Sequence, residues 1–132
     1  MSEIKTDIRN RDDIKVMVDL FYERIRDDEL LGPIFNRVIK DNWPAHLEKM
    51  YGFWQSILFN TPTYGGSAFE PHGKLPVTRE HFVRWLSLFN LNMDARFEGE
   101  KAEEAKLRAK KIAEIFYYKI EFNKGTVSPE AL

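Results

Sequence analysis

Apolar positions recur at spacings of three and four along almost the whole chain, and that period predicts helices. From about Asp12 to Asp27, the residues Ile14, Val18, Phe21, Tyr22 and Ile25 make one apolar stripe, and Asp12 and Asp13 suit the positive end of a helix. The stripe gives way at Asp27-Asp28, and Gly32-Pro33 breaks the chain. The stretch Leu30 to Val38 is expected to hold one or two short helical turns, with Phe35 at a tight corner. A second long helix is expected to begin near Trp43-Pro44, because proline is favoured in a first turn. At about 100° per residue, His46, Met50, Phe53 and Ile57 fall within roughly 80° of one another. Leu47, Trp54 and Leu58 flank them, so His46 is expected to face the interior. Asn60, Thr61-Pro62 and Gly65-Gly66 open a loop-rich stretch that reaches Val77. Thr78 reads as the N-cap of a helix with the stripe Phe82, Trp85, Leu86, Phe89 and Met93. The last helix is expected over about Glu100 to Phe122, with Ala102, Ala105, Ala109, Ile112, Phe116 and Ile120 on one face. Its small alanines would admit a close neighbour. No segment reads as a strand bounded by hairpin turns. The pattern predicts an all-α fold of four main helices in one domain, 1–132, with residues 1–9 and 123–132 frayed.

Composition narrows the picture. With 132 residues the chain can bury one real core. Ten Phe, five Tyr and three Trp are enough to line a cavity as well as fill that core. Twenty basic and 21 acidic side chains leave a net charge of −1, which gives no electrostatic footprint for nucleic acid or an anionic membrane surface. With no cysteine there is no disulfide, thiolate metal site or Cys nucleophile, which fits a reducing compartment. The start of the chain is polar, and no run approaches the roughly 20 apolar residues of a membrane span. A soluble, cytoplasmic protein is expected.

Candidate chemistry centres on His72, in the connector Phe69-Glu70-Pro71-His72-Gly73-Lys74-Leu75-Pro76. It reads either as a surface loop histidine or as an axial ligand to haem iron, whose usual proximal ligand is a neutral imidazole. Phe69, Leu75 and Phe82 are suitable apolar neighbours for a slot around such a group. His46 reads either as a core histidine with one satisfied hydrogen bond or as a residue on the ligand side of an iron; ligation by both His46 and His72 leaves ample chain between them. Tyr22 and Trp85 read first as core residues, yet each carries a donor that needs a partner when buried. A bound dioxygen acquires partial negative charge, and an O–H or indole N–H aimed at it would hold it by about 1.5–3 kcal/mol. The three histidines lack HExxH spacing, Gly65-Gly66 is too short for a phosphate loop, and the run Lys101 to Lys111 mixes signs as a solvated helix face does.

Taken together, Phe21-Tyr22, Gly32-Pro33-Ile34-Phe35, Trp43-Pro44-Ala45-His46, Phe53-Trp54, Tyr64-Gly65-Gly66, His72 with Leu75-Pro76, and His81 to Phe89 resemble the group III truncated haemoglobins of bacteria. The likeness runs from about Ile14 to Met93. It implies a two-over-two helical sandwich binding one haem b. His72 then matches the proximal iron ligand, Tyr22 and Trp85 the distal tyrosine and tryptophan, and His46 the distal histidine. Phe35 matches the aromatic on the haem face, Met50 a distal apolar residue, and Phe53 and Trp54 positions lining or abutting the pocket. The sequence departs from the family at Pro71 and Gly73, which flank His72 in place of helix-friendly residues. The implied function is reversible binding of O2, CO and NO. Two alternatives stand beside it. One is NO dioxygenation or peroxide reduction at the same iron, fed by an external electron-donor reductase. The other is a haem-free helical interaction module. Nothing in the pattern indicates an oligomeric state.

Overall fold

The computed structural model describes residues 4–60 and 77–124. Its helices are α1 (Arg11–Asp27), α2 (Gly32–Ile39), α3 (Trp43–Phe59), α4 (Arg79–Arg96) and α5 (Glu100–Lys124). Among the described residues no strand forms, and Thr6 and Phe97 make an isolated bridge. No described helix is long and apolar enough to cross a membrane.

Local chemistry sets the helix ends. Asn10 caps α1, its side chain accepting the Asp13 N–H at 3.1 Å. The short turns expected between Leu30 and Val38 are an eight-residue helix, α2, with Pro33 in its first turn. Gly32 opens it because a Cβ there would lie 2.6 Å from the carbonyl oxygen of Arg26. Pro44 starts α3, and Asn60 ends it in the left-handed region, which asparagine tolerates. Thr78 caps α4 as its sequence position predicts. The Thr78 backbone N–H donates to Nδ1 of His81 at 3.0 Å, a capping box with imidazole as the returning acceptor.

Packing pairs α1 with α3 and α4 with α5. The pairs meet where α1 crosses α4 and α3 touches α5, while α2 hangs from α1. This is the two-over-two sandwich. At its centre Phe21 stands edge-on to Phe89, with centroids 5.1 Å apart, and Trp54 stacks on the same ring at 5.1 Å. The buried amide of Asn92 donates to the Met17 carbonyl at 3.0 Å and ties α4 to α1. Ala102, Ala105 and Ala109 are buried on α5, as their small size and spacing predict.

One expectation needs correction. The first nine residues do not fray throughout: Ile8 is fully buried, and Asp7 accepts the backbone N–H groups of Lys101 and Ala102 at 2.9 and 2.8 Å. The Glu98 N–H bonds the Thr6 carbonyl. The physical reason is that the N-terminus of α5 presents unsatisfied donors, and the Asp7 carboxylate satisfies two of them. At the other end α5 continues through residue 124, and the rest of the expected tail lies outside the described residues.

Candidate functional site

Helix α3 carries two apolar stripes rather than one. Trp43, Tyr51, Trp54 and Leu58 are buried. Met50, Phe53 and Ile57 are only half-buried, as is His46, although all three apolar side chains pack against the core. At about 100° per residue the two sets are centred roughly a right angle apart. Helix α4 divides along its length instead: Phe89, Asn92 and Met93 are buried, whereas Phe82, Trp85 and Leu86 in its first half are half-buried. Phe35 of α2 is half-buried as well. Large apolar side chains covered on one side only are the surface a flat apolar group requires.

Polar atoms border this surface. Tyr22 is 7% exposed, and burial raises its hydroxyl above the ordinary tyrosine range, with no charge or hydrogen bond among the causes. It is therefore a neutral donor. Its ring meets His46 edge-on at 5.1 Å, Trp43 at 5.8 Å and Phe35 at 6.2 Å. Nε2 of His46 is itself buried. Trp85 reaches Tyr22 through an intermediary: it stands edge-on to Phe21 at 5.4 Å, and Phe21 lies 5.2 Å from Tyr22. On its outer side Tyr22 also borders a groove of about 540 Å³ whose walls include Asp19, Glu23, Arg26 and Asp27. The Arg26 guanidinium covers the Trp43 ring at 4.6 Å. Those charged walls make the groove a poor seat for an apolar macrocycle.

The structure thus brings Tyr22, Phe35 and His46 into one ring cluster, with Met50 and Phe53 on the same stripe as His46. Trp54 lies deeper, 3% exposed and stacked in the core, with Phe53 against it at 5.5 Å. Phe82 belongs to a second cluster with Ile34, Val77 and Ile120, and meets Tyr117 at 5.9 Å. His72, Phe69 and Leu75 lie outside the described residues. Two features were not read from the sequence. Trp43, which the sequence marks as a helix start and as part of the Trp43-Pro44-Ala45-His46 motif but not as a site residue, packs on both Tyr22 and His46, and its spacing of three from His46 is the available signal. The buried Asp28 pairs with Arg84, 56 residues away, and no local pattern announces such a bond.

A two-over-two helical sandwich with a neutral tyrosine donor and a half-buried aromatic wall defines a truncated globin. Comparison with known proteins agrees. The model of the bacterial-like globin family matches residues 7–118. The group 3 truncated hemoglobin ctb of Campylobacter jejuni is 32% identical over 117 residues, covering 86% of this chain and 92% of that protein. The crystal structure of group III truncated hemoglobin from Campylobacter jejuni superposes with a TM-score of 0.81 at 31% identity, covering 89% of this chain and 95% of that one. The chain belongs to the bacterial-like globin family, in its group III truncated-haemoglobin branch.

The family implies a haem cofactor, and the described residues fit one. A porphyrin needs apolar faces and neutral donors near its ligand, and the half-buried stripe with Tyr22 supplies both kinds of group. Among the described residues no three His, Cys, Asp or Glu side chains gather to hold a metal ion.

Proposed function

We propose that the chain is a haem b protein that reversibly binds O2 and the related diatomics CO and NO, with His72 as the proximal iron ligand. The observation that carries this reading is the second stripe of α3: Met50, Phe53 and Ile57 are half-buried on the same stripe as His46, whose ring meets that of Tyr22 edge-on at 5.1 Å. Haem, when bound, supplies the iron that takes the gas. The chain's part is to hold the macrocycle in an apolar slot, exclude bulk water, and present donors to a ligand that carries partial negative charge. Tyr22 donates from a phenol that burial keeps protonated. Trp85 supplies an indole N–H and His46 an imidazole. Phe35, Met50, Phe53 and Phe82, with Phe69 and Leu75 of the connector, would supply apolar contact, and Trp54 would brace Phe53 from beneath.

Two measurements test the reading. The purified protein, supplied with haem, should show an intense Soret band that shifts on exposure to CO. His72→Ala should then lose tight haem retention, seen as rapid transfer of haem to a scavenging apoprotein. A colourless protein that takes up no added haem rejects the cofactor. A His72→Ala protein that stays fully loaded with an unaltered iron spectrum rejects the ligand.

A further inference from the structure

Asp28 lies where α1 ends, and its side chain is only 3% exposed. Its carboxylate is fully engaged. Oδ2 accepts the backbone N–H groups of Leu30 and Leu31, each at 3.0 Å. Oδ1 accepts Nε of Arg84 at 2.7 Å and lies 2.6 Å from a terminal guanidinium nitrogen of the same side chain. Burial opposes the charge, but Arg84 and the two amides outweigh it and hold the carboxyl below its ordinary range. The Asp28 backbone is fixed too: its carbonyl accepts the Gly32 N–H at 2.9 Å.

Three elements meet at this carboxylate, and each carries one group of the proposed site. Helix α1 carries Tyr22, less than two turns before Asp28. Helix α2 carries Phe35. Helix α4 carries Trp85, the immediate neighbour of Arg84. Among the described residues the ring contacts join Tyr22 to Trp85 through Phe21, so the spacing of their donors depends on how α1 sits against α4. Two guanidinium nitrogens converge on one carboxylate oxygen while the backbone holds the other, and this charge-assisted contact resists sliding of α4 away from the corner. We propose that Asp28 and Arg84 are positioning residues that set the Tyr22 hydroxyl and the Trp85 indole at the spacing needed to bond one diatomic ligand together; this rests on the gas-binding reading above.

Arg84 is half exposed, so Arg84→Gln should fold even if Asp28→Asn does not. In the haem-loaded protein Arg84→Gln should raise the O2 dissociation rate about three- to tenfold, part of what outright loss of one charge-assisted hydrogen bond costs. It should also shift the C–O stretch of the CO complex to higher frequency and move the Trp85 indole N–H resonance. Arg84→Lys, which keeps the charge but loses the fork, should recover part of the change. In a Tyr22→Phe, Trp85→Phe background Arg84→Gln should leave the dissociation rate unaltered. A lowered melting temperature with unchanged rate, C–O stretch and indole resonance would mean the pair merely braces the fold, and the proposal fails. An equal rate effect in the donor-free background also overturns it, since the pair would then act elsewhere. Failure of the underlying reading shows earlier and separately, as a parent protein without a Soret band.

Discussion

At the scale of single residues, the proposed chemistry rests on a tyrosine buried among the rings of Phe35, Trp43 and His46. A buried hydroxyl left without a bond costs about 1–3 kcal/mol, and a polar ligand within reach offsets that cost. Tyr22→Phe removes the donor and leaves the ring packing against His46, Trp43 and Phe35 intact. The O2 dissociation rate should therefore rise about ten- to a hundredfold, the equivalent of roughly 1.4–2.8 kcal/mol. Stopped-flow mixing with CO checks this, and an unchanged rate removes Tyr22 from the role. The raised pKa adds a second condition. The folded value lies above the ordinary 10.0, so the protonated donor persists as pH rises through that value. The wild-type dissociation rate should consequently show no tyrosine titration up to about pH 10. Tyr22 was legible in the sequence because its aromatic ring sits on a clean helical stripe. The nature of its neighbours was not: ring geometry among Trp43, His46 and Phe35 depends on how α2 and α3 close over α1, which spacing along the chain cannot specify.

At the scale of elements, α3 shows what periodicity can and cannot say. The pattern centres the inward face on His46, Met50, Phe53 and Ile57 with Leu47, Trp54 and Leu58 at the flank; the structure buries Trp54 and Leu58 and half-covers Leu47 and the centre. Both stripes are apolar, and a hydrophobic pattern cannot tell a face meant for protein from a face meant for a cofactor. The same physics left helix boundaries easy to read, since Asn60, Pro44 and Thr78 act locally. A pair of truncations separates the two faces. Phe89→Ala empties the centre of the core and should cost about 3–5 kcal/mol in the unfolding of the haem-free protein. Phe53→Ala should cost that protein distinctly less, because its side chain is only partly buried, while speeding haem transfer to a scavenger severalfold. Equal stability losses from the two, with haem transfer unchanged in Phe53→Ala, would mean the half-buried stripe is only loosely packed core.

At the scale of the whole molecule, two carboxylates from the first 28 residues fasten the sandwich to its later helices. Asp7 caps α5, and Asp28 joins the corner between α1 and α2 to α4. Burial pushes each carboxyl upward, but for Asp7 the N–H groups of Lys101, Ala102 and Ile8 and the Lys101 charge prevail, as Arg84 and two amides do for Asp28. Both folded values thus lie below the ordinary 3.8. The stability they contribute is fully present above that value and is lost as pH falls through the lower folded values, because the unfolded chain takes up protons first. Unfolding free energy should stay level with respect to these groups from pH 7 to 5 and then fall steeply below about pH 4. Asp7→Ala should cost about 1–2 kcal/mol at pH 7, as loss of a helix cap does, and should shallow the acid limb. Urea titrations of both proteins across that range check this, and an acid limb of undiminished slope in Asp7→Ala would place the sensitivity elsewhere. In the haem-loaded protein the same clasps hold the helices that wall the site, so Soret absorbance and helical signal should collapse at one pH. Soret loss well above pH 4, with helices intact, would assign the acid sensitivity to protonation of the iron-bound imidazole, whose unbound pKa is about 6.5, and not to the clasps.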